Sequence, residues 1–434
     1  MAALGGACTP VGARCGDGFV DAETGCKPTI ASSACAGATR VAIGSPTCID
    51  VGACTSGPPA DADTFVDPSF ATAELDASHV RTIAEALARP SSKIIAVAAG
   101  TYAERLVVGH SGVRLVGRCA AKVFVDGTSL PVAGDGIVVD GVTNVSIEGV
   151  TVRHHARGLH VKHGGKASLV DAIVEESSLA GVQVETPGSR LDVSASVIRD
   201  GLPGSIRAGA GGVGAVTGAR AILTLTDVSI ERAVGIGVDV EGNGGSVELT
   251  RVAVVDTRED SDKAFGMGLF ARGGSLKATS SAVLGAHEMG LGCTGESKCT
   301  FDDGVIRDVL PSTASGRGFG YGMQALEGTL KVSNSTVSHA AHAGLFAQMK
   351  GSILATSTTL YDTGGYRAPD DLGPAVLSVA NGVVNLENVA ILKSRAGGIA
   401  ADGSTSVVGG QDVLIDDVGT DNHVFAGHGV EVTN

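Results

Sequence analysis

The chain has 434 residues, too many for one ordinary hydrophobic core, so it holds either several domains or one extended repeat. Its 64 glycines, absent tryptophan, 3% aromatics and 43% hydrophobic residues favour stacked strands and tight turns over a disordered chain. A formal charge of −14 argues against nucleic-acid binding through phosphates, and the longest strongly apolar stretch, Lys93 to Ala99, is far too short to span a bilayer.

Six of the nine cysteines, Cys8, Cys15, Cys26, Cys35, Cys48 and Cys54, fall in the first 54 residues. Such density in a Gly/Pro-rich stretch reads as a disulfide framework, and no CxxC pair supports a zinc site. Export is therefore expected, to the secreted space or the outer cell surface, with any signal sequence already removed. Leu4-Gly5-Gly6-Ala7-Cys8 is an imperfect lipobox. Cys8 is either a lipid-attachment site, the one link to a membrane, or an unpaired or intermolecular cysteine.

Ser78 to Pro90 reads as an amphipathic helix with Val80, Ile83, Ala84 and Leu87 on one face, closed by Pro90. Lying over the first turn, it would cover open strand edges. From Lys93 onward, Gly-hydrophobic openings recur: Gly158-Leu159, Gly181-Val182, Gly212-Val213, Gly235-Ile236, Gly266-Met267 and Gly290-Leu291. They continue as Gly322-Met323, Gly344-Leu345, Gly398-Ile399 and Gly429-Val430. Each is followed by a glycine turn and a stretch alternating with period two, the mark of strands with one buried face. A repeat of roughly 23 residues is one coil of three short strands, too small to shelter its own apolar face, so coils must stack. The expected organisation is a cysteine-rich module over 1–60, a linker and capping helix over 61–92, and an all-β parallel β-helix, a single-stranded solenoid, over 93–434.

Longer coils alternate with shorter ones, and the surplus falls each time before an opening strand: 201–211, 257–265, 310–319, 364–373 and 419–427. A ladder in register would project these loops from one edge. Their charged residues, Arg207, Arg258, Asp260, Lys263, Arg317, Arg367, Asp370 and His423, are the candidate ligand-binding set. Glycines at Gly214, Gly237, Gly268 and Gly292, read as outward, either leave room for a ligand against the backbone or lie beneath the loops. Cys293 and Cys299 sit at inward positions within one coil and are expected to bond.

With those residues in view, the chain resembles the pectin-lyase-like right-handed β-helix proteins, and in particular the large surface lipoproteins of myxobacteria. Thr82-Ile83-Ala84-Glu85-Ala86-Leu87 followed by Ile95 to Tyr102 is similar to the family's opening into the coil. Val113 to Cys119 is similar to its second turn, and Cys15-Gly16-Asp17-Gly18-Phe19-Val20 with Gly25-Cys26 to its leader. The resemblance implies a right-handed β-helix and export; it assigns no chemistry. If Cys8 carries lipid, the other five leader cysteines and Cys119 make three more pairs.

Lyases resembling this family cluster aspartates for calcium on the first sheet. Here the acids Glu185 and Asp239 lie two coils apart, too dispersed for one ion. Asp302-Asp303 and Asp370-Asp371 are adjacent and so point to opposite faces, unlike paired glycosidase carboxylates. Gly427-His428-Gly429 lacks the companion motifs of a polygalacturonase. Arg153 to His163, with four histidines, reads as a solvated, mildly basic patch with no acid joining it. No catalytic residue, metal or cofactor is assigned. The expected function is a non-catalytic surface scaffold, adhesin or binder of polysaccharide or extracellular matrix. A polysaccharide lyase or glycoside hydrolase, using Arg258, Asp260 and Lys263, is the alternative. A rod self-associating through its uncapped C-terminal turn is a third reading.

Overall fold

The computed structural model describes residues 12–23, 25–55, 57–131, 134–204, 211–313, 320–364, 373–395 and 397–418, and the backbone of 428–433. They form two compact units: Ile30–Val234 with Val238–Glu248, and Met1–Thr29 with Gly235–Gly237 and Leu249–Asn434. These are the N-terminal and C-terminal units below. In both, each coil contributes one strand to each of three parallel sheets, here I, II and III in coil order. One coil of the N-terminal unit runs Arg157–Lys162 in sheet I, Lys166–Val170 in II and Ile173–Glu175 in III.

Stacked apolar files fill the coils. In the N-terminal unit, Leu106, Ile137, Leu159, Val182, Ala215 and Val238 are paired in successive sheet I strands, all at 0% exposure. In the C-terminal unit the file is Leu269, Leu291, Met323, Leu345, Val376 and Ile399. Each such Val, Leu or Ile contributes about 1.5–3 kcal/mol of burial. The file corrects the repeat phase at three openings. Ala215, Val238 and Leu269, not Val213, Ile236 and Met267, align with Leu159 and its equivalents. The openings there start two residues early, and a shift of two preserves which face is apolar, so periodicity alone does not reveal it.

Sheet II meets sheet III through a two-residue corner whose first residue is left-handed: Asp171, Ala195 and Asp227 in one unit, Ser280, Asp303, Asn334 and Ser357 in the other, with φ of 46–54°. Short polar side chains tolerate this conformation better than branched ones.

At the N-terminal edge, Thr64–Val66 and His79–Val80 extend sheet II beyond Ile94–Val97. The helix is shorter than its sequence pattern, Ile83–Leu87, because Thr82 and Glu85 form a capping box that starts it there. It buries Ile83, Ala86 and Leu87, whereas Ala84 is exposed and Val80 belongs to a strand. Glu104 accepts from the amides of Ile83 and Ala84 at 3.1 and 2.7 Å.

The leader packs on the outer side of sheet III. In the N-terminal unit Val51 and Ala38 pack against Ala120, Ile173 and Val197. Arg199 donates to the Gly37 carbonyl at 2.6 Å, and the Val41 amide donates to Glu231 at 3.1 Å. Arg40 is 5% exposed, and burial lowers its pKa against the pull of Asp227, Asp171 and Glu231. In the C-terminal unit the hairpin Phe19–Ala22 with Gly25–Pro28 lies on sheet III, where the Cys26 and Ala13 amides donate to the Thr336 and Thr359 hydroxyls at 2.8 and 3.0 Å. Disulfides join Cys15–Cys26, Cys35–Cys48, Cys54–Cys119 and Cys293–Cys299.

Candidate functional site: the outer face of sheet I

Sheet III carries the leader, and the outer face of the sheet I strands holds a dense cluster of charged side chains. In the N-terminal unit its outward file runs Val107, Val138, His160, Gln183, Val216 and Asp239. His160 is the centre. Parallel pairing sets it between neighbours one coil away on each side, and its ring is 5% exposed. Its Nδ1 lies 2.8 Å from Asp135, and its Nε2 lies 2.9 Å from Glu185, too far off line for a hydrogen bond. Asp135 also accepts from Arg157 at 3.0 Å. Arg157 donates to the Gln183 side-chain Oε1 at 2.5 Å, and the Gln183 side-chain amide donates to Glu185 at 3.0 Å. Burial pushes the Asp135 carboxyl up, but the bonds from His160 and Arg157 outweigh it and leave it at about 2.

The surrounding bases are matched in the same way. Lys162 and His163 lie 3.8 and 2.6 Å from Asp140. On the neighbouring corner of sheet III, Asp126 meets Arg153 at 2.7 Å and His154 at 3.1 Å, and His154 also reaches Glu176 at 2.6 Å. Burial raises the Asp126 carboxyl, while bonds from Thr128 and Arg153 hold it far below the usual range. His155 turns into the interior at 2% exposure, where burial lowers its pKa and keeps it neutral.

This corrects the mildly basic patch expected from Arg153 to His163. Each base of that segment except the buried His155 lies within 4 Å of an acid. The acids come from Asp126, Asp135, Asp140, Glu176 and Glu185, 22 or more residues away in sequence from the base they meet, so a local reading of the histidine cluster could not include them.

Three of the four stripe glycines, Gly237, Gly268 and Gly292, have no open space beside them. A Cβ on Gly237 would stand 2.6 Å from a Val254 methyl, and one on Gly268 2.3 Å from a Val283 methyl. Gly292 lies under the Phe270 ring, 2.8 Å from where its Cβ would be. In the C-terminal unit the outward file is Phe270, Gly292, Gln324 and Phe346, with Tyr321 4.5 Å from Phe346 between ring centroids. Phe346 and Gln324 are buried at 5% and 3% exposure.

All five extended loops fall between a sheet III strand and a sheet I strand. Arg207, Arg317, Arg367, Asp370 and His423 lie outside the described residues. In the 257–265 loop Arg258 and Lys263 are exposed. Asp260 is buried at 3% exposure and accepts from the Asp262 and Ala264 amides at 2.9 and 3.1 Å, so it staples the loop and is not open to a substrate. Cys293 and Cys299 are bonded within one coil, with Cα atoms 6.1 Å apart.

A family model described as right handed beta helix region matches residues 135–306. The chain is a right-handed parallel β-helix. Among solved structures, the catalytic domain of a GH87 alpha-1,3-glucanase in complex with nigerose is similar at 11% identity and a TM-score of 0.55, over 88% of this chain and 70% of that one. Pectin methylesterase from carrot is similar at 13% identity and a TM-score of 0.33, over 73% and 87% of the two chains. The A-module of a mannuronan C-5 epimerase from Azotobacter vinelandii is similar at 12% identity and a TM-score of 0.34, over 77% and 88%. The likeness to the glucanase domain is one of fold. No curated protein matches the chain. No helix among the described residues is long and apolar enough to cross a membrane.

Proposed function

We infer that the chain is an exported β-helix that recognises neutral polysaccharide on the outer face of sheet I, acting by binding and not by turnover. The observation that carries this reading is the internal charge matching around His160. A face whose cations are already paired offers little to a uronate or sulfate polymer. Its alternating carboxylates, amide and guanidinium instead suit hydroxyl pairs. Val107, 60% exposed on the same file, adds an apolar contact for a sugar ring. Asp135, ionised to about pH 2, has no proton to give as a general acid at neutral pH. Four disulfides fit an oxidising, extracellular setting.

Affinity electrophoresis through gels holding α-1,3-glucan, other neutral glucans or polygalacturonate tests this. Neutral glucan should retard the protein and polygalacturonate should not. Gln183→Ala with Glu185→Ala should weaken retention about tenfold, while Arg258→Ala leaves it unchanged. Retention by polygalacturonate alone would overturn the reading. Release of reducing ends that disappears in Glu185→Gln would replace binding by hydrolysis, the activity class of the glucanase domain that shares the fold.

A further inference from the structure

A second site lies at the first corners of the N-terminal unit, away from His160 in the coil sequence. In the next coils two residues join sheet II to sheet III, as Asp171 and Ala172 do. Between Arg114–Gly117 and Val123–Asp126 the corner runs to five residues, Arg118 to Lys122. Cys119 within it is tied to Cys54, which pins the end of the leader, and hence Pro58, beside the excursion. The widened corner leaves a cleft of about 340 Å³.

The floor of the cleft is apolar: Val66, Ala96 and Val97 are buried, and Phe65, Phe70 and Val116 form its walls. Its rim holds Arg118 and Lys122. Neither has an ion-pair partner among the described residues, in contrast to the matched bases of Arg153 to His163. Asp67, the one acid in the lining, has an oxygen taken by the Ser69 amide and hydroxyl at 2.8 and 2.6 Å. Two unmatched cations over an apolar floor, on a chain of net charge −14, mark a place for an amphiphile with an anionic head.

We propose that this cleft binds a free medium-chain aliphatic carboxylate, its tail on Val66, Val97 and Val116 and its head between Arg118 and Lys122. The volume suits a tail of roughly ten to twelve carbons, at the small end of the 300–1,000 Å³ range of ligand clefts.

Calorimetric titration of the intact, oxidised protein with dodecanoate, dodecanol and dodecyltrimethylammonium tests it. Dodecanoate should bind saturably and one to one, and more tightly than dodecanol. The double variant Arg118→Glu, Lys122→Glu should lose about tenfold or more of the dodecanoate affinity while keeping that for dodecanol. Ala98→Phe, at a half-exposed lining position, should block both ligands with circular dichroism and melting temperature unchanged. Absence of saturable dodecanoate binding, equal affinity for the cationic surfactant, or unchanged affinity in the double variant would overturn the proposal. Displacement of dodecanoate by glucan oligosaccharides would overturn it too, by making the cleft a sugar subsite. Loss of glucan retention without loss of dodecanoate binding would count against the sheet I reading alone.

Discussion

The two units share an inward frame and differ in what they face outward. In both, apolar residues stack in a buried file of sheet I, Leu, Ile, Val and Ala in one unit and Leu, Met, Val and Ile in the other. The outward file of the N-terminal unit mixes valines with a charge-matched polar cluster around His160. That of the C-terminal unit is Phe270, Gly292, Gln324 and Phe346, with the Tyr321 ring tilted against Phe346. The inward positions answer to a common packing requirement, since every coil must seal its neighbours. The outward ones are free of it, which is why a function is to be sought there. The leader makes a second contrast: it is bonded covalently to the coils of the N-terminal unit by Cys54–Cys119, while its described contacts with those of the C-terminal unit are non-covalent.

Three measurements break or sharpen this contrast. The largest effect is expected from the disulfides. Cys54–Cys119 closes a separation of 65 residues and Cys293–Cys299 one of 6. Replacing both cysteines by serine should cost about 4 kcal/mol in the first case and about 2 kcal/mol in the second, read from urea midpoints. Equal losses would mean that the leader staple constrains nothing beyond its own turn. Next come the glycines at the start of the sheet I strands. A Cβ at Gly181 would lie 2.2 Å from an Ile198 methyl, and one at Gly268 2.3 Å from a Val283 methyl. Gly181→Val and Gly268→Val should each cost about 3 kcal/mol, one in each unit. A large cost in one and none in the other would deny the shared frame.

The smallest effect separates the outward faces. The Asp135 carboxyl stands at about 2, below its ordinary 3.8, so the stability it adds is complete above about pH 4 and is lost as pH falls toward 2. With its side chain 18% exposed, it contributes about 1 kcal/mol after solvent screening. Asp135→Asn should remove that contribution and flatten the acid limb of the unfolding curve, whereas Phe346→Ala should lower stability equally at every pH. An unchanged acid limb in Asp135→Asn would show that the His160 network holds no charge-dependent stability.

Much of the coil was legible because it is periodic. Period-two alternation and glycine turns every 23 residues or so specify stacked strands, and Cys293 and Cys299 sit where the inward pattern puts them. The leader's resting place was legible only in part. Sheet III strands such as Ile173–Glu175 and Val197–Arg199 open with two apolar residues in a row, a sign that both faces are covered. That sign says nothing about what covers them. The His160 site escaped because its histidines cluster in one short segment while its acids come from neighbouring coils. The Arg118 to Lys122 excursion carried no signal beyond its length.

By itself the sequence determined the solenoid, since only stacking can bury a face that recurs once per coil. It also pointed to a disulfide framework in the cysteine-dense leader, where six cysteines counting Cys119 are paired. The tertiary structure decided which acids meet which bases, which glycines face a neighbour's methyl and where a widened corner leaves a cleft. Those depend on contacts between coils some twenty to thirty residues apart, where a shift of two residues keeps the apolar pattern yet exchanges every partner.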